Sequence, residues 1–375
     1  MKTIQVITSY SLSKEPTIND RLMPIIDLLL LKNYRVILFS SDTKKIKKNN
    51  FNFQHILASQ NLNLKKNIFF RLFYELRLSF KLIRFSKQNN GDLIFITIPS
   101  IFLLFFTFKL RSRKLHLDFR DLVWEYMFKN KLVLKIINLI IKKNLNYVSS
   151  ISYTNEAEFK KLSKFGFKKD TMHHISNGVL EKKFKKLKNI KTEKKKIPLV
   201  SYIGKIGLAQ DLKTFLNVAE LMPKLNFQIT GQGIDLEYLK KLVKKKKIKN
   251  VKFTGFVKWK DILNIYNKSD ILFLQLRPNF NLAFPSKLYE YLSTGKFIIF
   301  SSSVKTTNTL KKFNNIKTVE YGNLNRIAEV IRKHINSKNF RKISEQNKTI
   351  IKNEYLREKW INKFINSIEL NKMYD

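Results

Sequence analysis

Cysteine is absent from the 375 residues of this chain, which excludes a disulfide framework and any thiolate metal site. Arginine is scarce: 13 stand against 60 lysines, and only 28 acidic residues oppose them, leaving a net charge of +45. Such a charge points to nucleic acid or an anionic membrane surface. Selection for phosphate contacts would enrich arginine, whose planar fork grips phosphate with two prongs, so specific nucleic-acid binding is not expected. The excess of Lys, Asn, Ile and Phe reads instead as a bias toward A/T-rich codons. Attraction of a basic face to anionic lipid survives, at about 1 kcal/mol per basic residue close to the surface. Long apolar runs are missing too, since "IPSIFLLFFTFKLRSRK" holds about a dozen apolar residues, short of the ~20 that span a bilayer. The opening "MKTIQVITSYSL" has a strand pattern without a signal peptide's apolar region, so the cytoplasm is the expected compartment.

What is present is 44% hydrophobic residues in a length that suits two α/β domains. Short apolar strands such as "TIQVIT", "YRVILFS", "DLIFITI" and "KLHLDF" alternate with helical stretches, which predicts parallel α/β layering in a first domain over 1–180. The lysine-rich "EKKFKKLKNIKTEKKK" at 181–196 reads as a linker. A second strand–helix series fills 197–354 in doubly wound order, and an amphipathic helix at about 355–375 is expected to return to the first domain. "LKKNIFFRLFYELRLSFKLIRFSKQ" and "IPSIFLLFFTFKLRSRK" set bulky aromatics against Lys and Arg, a pattern that suits core helices or an amphipathic surface in the lipid interface.

Three loops of the second domain fall where a parallel sheet exposes a ligand site. "YIGKIGLAQDL" places Gly204 and Gly207 between a strand and a helix, allowing close backbone approach to a phosphate. "ITGQGIDLEYL" repeats the theme with Gly231 and Gly233, and Asp235 is available to cap the next helix. "FPSKLYEYLSTGKFIIF" puts Lys287 in the first turn of a helix that Gly295 stops, with Glu290 three residues on and on the same face. A cation at a positive helix end is unfavourable unless an anion sits nearby, although the spacing also fits an ordinary ion pair. A diphosphate satisfies all three loops, cradled by helix N-termini and lysine while a carboxylate accepts from a ribose diol. No strong metal constellation accompanies them; the adjacent His173 and His174 point apart on a strand and read as structural.

The series "ISNGV", "YIGKIGLAQDL", "ITGQG", "VKFTGFVKWKDILNIYNKSDILFL" and "FPSKLYEYLSTGKFIIF" resembles the nucleotide-sugar-binding domain of GT-B fold, retaining group 1 (family 4) glycosyltransferases. Together with "LDFRDLVWEY", it is most similar to the branch containing N-acetyl-L-fucosamine transferases of O-antigen and capsule assembly. The resemblance implies two Rossmann-like domains facing a cleft, with Glu290 on the donor ribose and Lys287 and Lys205 on the diphosphate. It places Gly207 and Gln210 on the phosphate or sugar side, Gly231 and Gly233 on the nucleotide side, Phe256 and Val257 beside the base, and Ser286 in the donor-binding set. Arg120 and Asp121 stand where many relatives carry a histidine and are the expected catalytic pair. The sequence departs from many relatives at Leu282, where they carry a glutamate eight residues before the Glu290 equivalent, and in "SYSLSKEPTINDR", which replaces a Gly-Gly loop.

The activity implied is transfer with retention from a nucleoside-diphosphate sugar, a UDP-sugar before a GDP-sugar, with no cofactor or metal. The acceptor implied is a hydroxyl of a polyprenyl-diphosphate-linked glycan, reached from the inner face of the plasma membrane. Two rival readings keep other features: a sugar-nucleotide epimerase with a GT-B-like cleft, and a basic scaffold that binds membrane or nucleic acid without catalysis.

Overall fold

The structure is a computed structural model that describes residues 1–58, 68–98, 100–127, 130–280, 284–303 and 310–370. Leu282 and residues 64–67 of the first aromatic stretch lie outside the described residues. The chain divides into two compact units, Met1–Asn177 with Arg357–Asp375, and Gly178–Leu356.

Unit 1 runs β1 (Thr3–Ile7), α1 (Pro16–Leu31), β2 (Arg35–Ser40), β3 (Phe53–Leu57), α2 (Ile68–Lys87), β4 (Leu93–Ile98) and α3 (Ile101–Phe105). It continues with β5 (Leu115–Phe119), α4 (Val123–Met127), α5 (Lys131–Leu145), β6 (Ser150–Tyr153), α6 (Glu156–Leu162) and β7 (Met172–His174). The strands form one parallel sheet in the order β3-β2-β1-β4-β5-β6-β7. Strands covered on both faces lose their alternation, which is why "LIFITI" in β4 is buried at every position. The aromatic segment of α3 is core, with Ile101, Leu103 and Leu104 buried. In α2 the same composition splits, burying Leu78, Leu82 and Ile83 and exposing Phe70, Phe73 and Phe80.

Unit 2 contains α7 (Glu181–Leu187), β8 (Leu199–Ile203), α8 (Lys213–Leu221), β9 (Asn226–Thr230), α9 (Leu236–Lys245), β10 (Val251–Gly255) and α10 (Trp259–Lys268). Next come β11 (Ile271–Gln275), α11 (Ser286–Thr294), β12 (Phe297–Ser302), β13 (Ile316–Glu320), α12 (Leu324–Ile335) and α13 (Glu345–Glu354). Its parallel sheet is ordered β10-β9-β8-β11-β12-β13. The chain reverses its winding between β8 and β11, and a doubly wound sheet binds ligands outside the carboxyl ends of its strands at such a point.

A final helix, α14 (Arg357–Leu370), belongs to unit 1, where Ile361, Phe364 and Ile365 join a core with Ile4, Ile25 and Phe95. The lysine-rich segment differs from a linker over its first half. Residues 181–187 are α7, whose Phe184 and Leu187 are buried in the core of unit 2, because lysines on the other faces leave one apolar edge to pack. No helix among the described residues is long and apolar enough to cross a membrane.

Candidate functional site

In unit 2 the loops after β8, β9 and β10 continue the sheet's pairing beyond its strands. Gly204 N–H donates to Thr230 O (2.9 Å), Ile206 N–H to Gln232 O (2.9 Å) and Gly231 N–H to Gly255 O (2.8 Å). This stacking explains the second glycine pair: a Cβ on Gly231, whose φ is +141°, would lie 1.8 Å from Gly204 O, and one on Gly233 would lie 1.8 Å from Ile206 O. Gly207 has open space, with Gln210 Oε1 as its nearest neighbour at 3.7 Å. Asp235 occupies the N-cap of α9 but makes no capping hydrogen bond with its side chain, unlike the role its position suggested.

The loop holding Lys205, Gly207 and Gln210 is fastened from three sides. Tyr202 Oη donates to Lys205 O (2.6 Å), Gln275 Nε2 to Asp211 O (2.8 Å) and Arg277 N–H to Ala209 O (2.9 Å). Asp211, at φ +38°, pairs with Arg277 (3.3 Å) and accepts from Tyr321 Oη. Lys205 itself is exposed. Helix α11 is tied to the same strand by Tyr291, whose hydroxyl accepts from Ile203 N–H (2.8 Å) and donates to Ile203 O (3.1 Å).

Helix α11 starts at Ser286 after Pro285 with no side-chain cap, and Gly295 ends it at φ +69°. Its first-turn N–H groups and half-positive end therefore suit an anion. Lys287 Nζ meets Glu290 Oε2 at 2.6 Å, so the ordinary ion pair that the spacing also fits is formed. Lys183 Nζ approaches Glu290 Oε1 at 3.8 Å, and Tyr266 Oη donates to Oε2 at 3.5 Å. Two cations thus share one carboxylate. Lys183 and Lys186 also lie 5.6 Å above the Trp259 ring. Lys183 escaped the sequence reading because its segment looked like solvated linker; the buried Phe184 beside it was the available signal. Phe256 is exposed and Val257 half-buried, and both follow the edge strand β10, two strands from β8.

Arg120 and Asp121 belong to unit 1, at the end of β5. Just before them, Asp118 is wholly buried and pairs with Arg21, whose Nε donates to it at 3.2 Å; Ser152 Oγ donates to Asp118 at 2.6 Å. Burial alone would raise the Asp118 pKa, but Arg21 and Ser152 hold it below the usual carboxylate range. Arg21 also donates to Ile175 O at 2.8 Å, so this pair locks β5, α1 and the segment after β7 together. Burial, then Arg21, weakens proton binding by Arg120, whose Nε has no hydrogen-bond partner. Asp121 has an exposed side chain, yet desolvation by the surrounding protein raises its pKa to about 6 against the pull of Arg120.

The loop after β1 is held from below by Asp42. Its carboxylate accepts from Ser11 Oγ (2.6 Å), Leu12 N–H (3.0 Å), Ser13 N–H (3.0 Å) and Ser40 Oγ (2.7 Å). Burial pushes its pKa up, yet these donors outweigh burial and bring it to about 2. His55 completes the clamp, with Nε2 2.8 Å from Ser40 Oγ and Nδ1 accepting from Ile46 N–H (2.9 Å). His173 and His174 contact Ser367 Oγ (3.2 Å) and Thr154 O (3.1 Å) respectively, as structural residues do. Among the described residues no three His, Asp or Glu side chains gather as for a metal.

Residues 183–361, just under half of the chain, match the model of the family described as Glycosyl transferases group 1. The match supports a glycosyltransferase. No curated protein matches the sequence. Among solved structures, sucrose-phosphate synthase from Thermosynechococcus elongatus is similar at 14% identity and TM-score 0.77, covering 98% of each chain. HepE of Anabaena in complex with UDP and glucose is similar at 14% identity and TM-score 0.69, over 99% of this chain and 100% of that one. WaaG, a glycosyltransferase involved in lipopolysaccharide biosynthesis, is similar at 11% identity and TM-score 0.70, over 96% and 99%. At these identities the likeness carries the fold, which is GT-B with two parallel-sheet Rossmann-like domains.

Proposed function

We propose that this protein is a retaining glycosyltransferase that takes its sugar from a nucleoside-diphosphate donor, UDP-linked before GDP-linked, bound in unit 2. The observation that carries the reading is α11. Two lysines converge on Glu290 in the second turn of a helix whose N-terminus is uncapped, and Tyr291 ties that helix to β8, where the sheet reverses its winding. In the bound state Glu290 accepts from the ribose diol, and Lys287 and Lys205 turn to the diphosphate with Ser286, Gly207 and Gln210 lining its path. Gly231 and Gly233 shape the nucleotide side by holding the loops together, and Phe256 and Val257 flank the base.

As the anomeric C–O bond breaks through an oxocarbenium-like state, negative charge builds on the departing diphosphate. Once Lys287 and Lys205 have turned to the bound diphosphate, they and the helix N–H groups stabilise that charge and lower the barrier by several kcal/mol without a metal. Arg120 and Asp121 supply the polar groups on the acceptor side. The acceptor is a hydroxyl of a polyprenyl-diphosphate-linked glycan, and the chain works in O-antigen or capsule synthesis, in the manner of N-acetyl-L-fucosamine transferases, on the inner face of the plasma membrane. WaaG's role in lipopolysaccharide biosynthesis and the UDP in HepE support this reading.

The test is thermal stabilisation by UDP and by GDP of the wild type and of the Lys287→Ala and Glu290→Ala variants. At about 100 times its dissociation constant, a ligand adds roughly 2.7 kcal/mol to the folded state. Stabilisation by one nucleotide that both folded variants lose is the expected result. No shift with either nucleotide in the wild type overturns the proposal.

A further inference from the structure

Helix α5 is apolar on two opposite faces, and the fold uses only one. Ile137, Ile141 and Leu145, spaced four residues apart, are buried. On the other face Leu132, Ile136 and Leu139 are 67%, 51% and 61% exposed, joined by Val133 and Ile140. Asn130 caps the helix, accepting from Leu132 N–H (2.8 Å), and Asn138 accepts from Trp124 Nε1 (3.1 Å), so the exposed stripe sits on a fixed element. Along one flank runs a groove of about 330 Å³ whose lining includes Lys131, Lys135, Lys142, Lys164 and Phe165. The helix carries no acidic residue, and no described carboxylate pairs with those four lysines.

We propose that this face of α5 is a membrane-docking element: the aliphatic stripe enters the acyl region of an anionic bilayer while the lysine groove beside it holds phospholipid headgroups. The chemistry of the face selects that occupant. Its exposed apolar side chains are all Leu, Ile or Val, without the Trp, Tyr and Arg anchors that dominate protein–protein contacts. Lysine stems lie along apolar surface while their ammonium groups reach phosphate. A second copy is a poor partner, because it brings the same lysines and the same charge of +45. Exposed Phe70, Phe73 and Phe80 lie on a different helix of the same unit, α2, and serve as the comparison surface. The docking surface deepens the proposed place of work at a membrane but does not depend on the donor reading.

The experiment is flotation of the full-length protein with vesicles of phosphatidylcholine alone or mixed with phosphatidylglycerol. The wild type should float with the anionic vesicles only. Lys131→Gln/Lys135→Gln/Lys142→Gln should weaken that partitioning on the order of a hundredfold. Ile136→Gln/Leu139→Gln should weaken it roughly tenfold or more. Both variants should keep the wild-type melting temperature and its response to UDP, which separates a failure here from a failure of the transferase reading. Absence of anionic-vesicle binding by the wild type overturns the proposal, as does undiminished binding by both variants. So does a concentration-dependent dimer that the stripe variant abolishes, or loss confined to a Phe70→Ser/Phe73→Ser variant in α2.

Discussion

Each unit builds an ion pair near the carboxyl edge of its sheet, and the two pairs differ chiefly in their access to water. Arg21 and Asp118 are 1% and 0% exposed, with Ser152 and the Ile175 carbonyl completing their hydrogen bonds. Lys287 and Glu290 are 24% and 14% exposed and belong to one helix turn, with Lys183 as an alternative partner. Charges taken fully out of water must keep their partners, because the desolvation cost reappears whenever one is removed. Charges that retain some water can exchange partners at little cost. The comparison therefore assigns architecture to the first pair, whereas the second keeps the water contact and alternative partner that the proposed ligand role requires.

Breaking the first pair should give the largest effect. Arg21→Met leaves the buried Asp118 carboxyl without its compensating cation, and is expected to cost about 3–5 kcal/mol in urea unfolding of the whole chain. Arg21→Met/Asp118→Leu removes both charges and should recover part of that loss. A double variant as unstable as the single one would mean that the packing around the pair, and not its charge, carries the stability.

The next effect is smaller and depends on pH. Asp42 titrates at about 2 in the folded chain against an ordinary 3.8, a difference equivalent to about 2 kcal/mol. Because the folded-state pKa is lowered, this contribution is complete above pH 4 and is lost as the pH falls toward 2. Asp42→Asn should thus be about 2 kcal/mol less stable than the wild type at pH 7. The gap between the two should narrow when the unfolding is repeated near pH 3. A gap that stays constant would assign the effect to Asn geometry in place of charge. The comparison would sharpen, since Asp42, like Asp118, is a buried carboxylate of unit 1 whose partners hold backbone in place.

How much of this was legible in the sequence followed from the reach of each interaction. Strands such as "LIFITI" and the helix stop at Gly295 are local patterns, and the structure has both. The glycine loops of unit 2 were legible as loops, but the clash that fixes Gly231 and Gly233 joins backbones more than twenty residues apart, which no spacing rule encodes. Asp42 reaches Ser11 and Leu12 across about thirty residues and gave no local sign. Asp118 did give one, a lone carboxylate inside the apolar run "LHLDF" that needs a buried partner. One helix was misjudged: in α7, frequent lysine hid the buried Phe184 and Leu187. The two-faced apolar pattern of α5 drew no reading, because sequence alone does not say which of two apolar faces a fold covers.

The smallest stability effect is the most informative for function. Lys287→Ala removes one member of a partly exposed i, i+3 pair, and such pairs contribute about 0–1 kcal/mol. Glu290 keeps Lys183 at 3.8 Å and the Tyr266 hydroxyl at 3.5 Å, so no buried charge is stranded. The variant should unfold within about 1 kcal/mol of the wild type while losing its stabilisation by UDP. A stability loss matching that of Arg21→Met would show that Lys287 holds α11 together as Arg21 holds unit 1. The lysine would then be structural, and the positive end of α11 would have to bind its anion with backbone N–H groups and Lys205 alone.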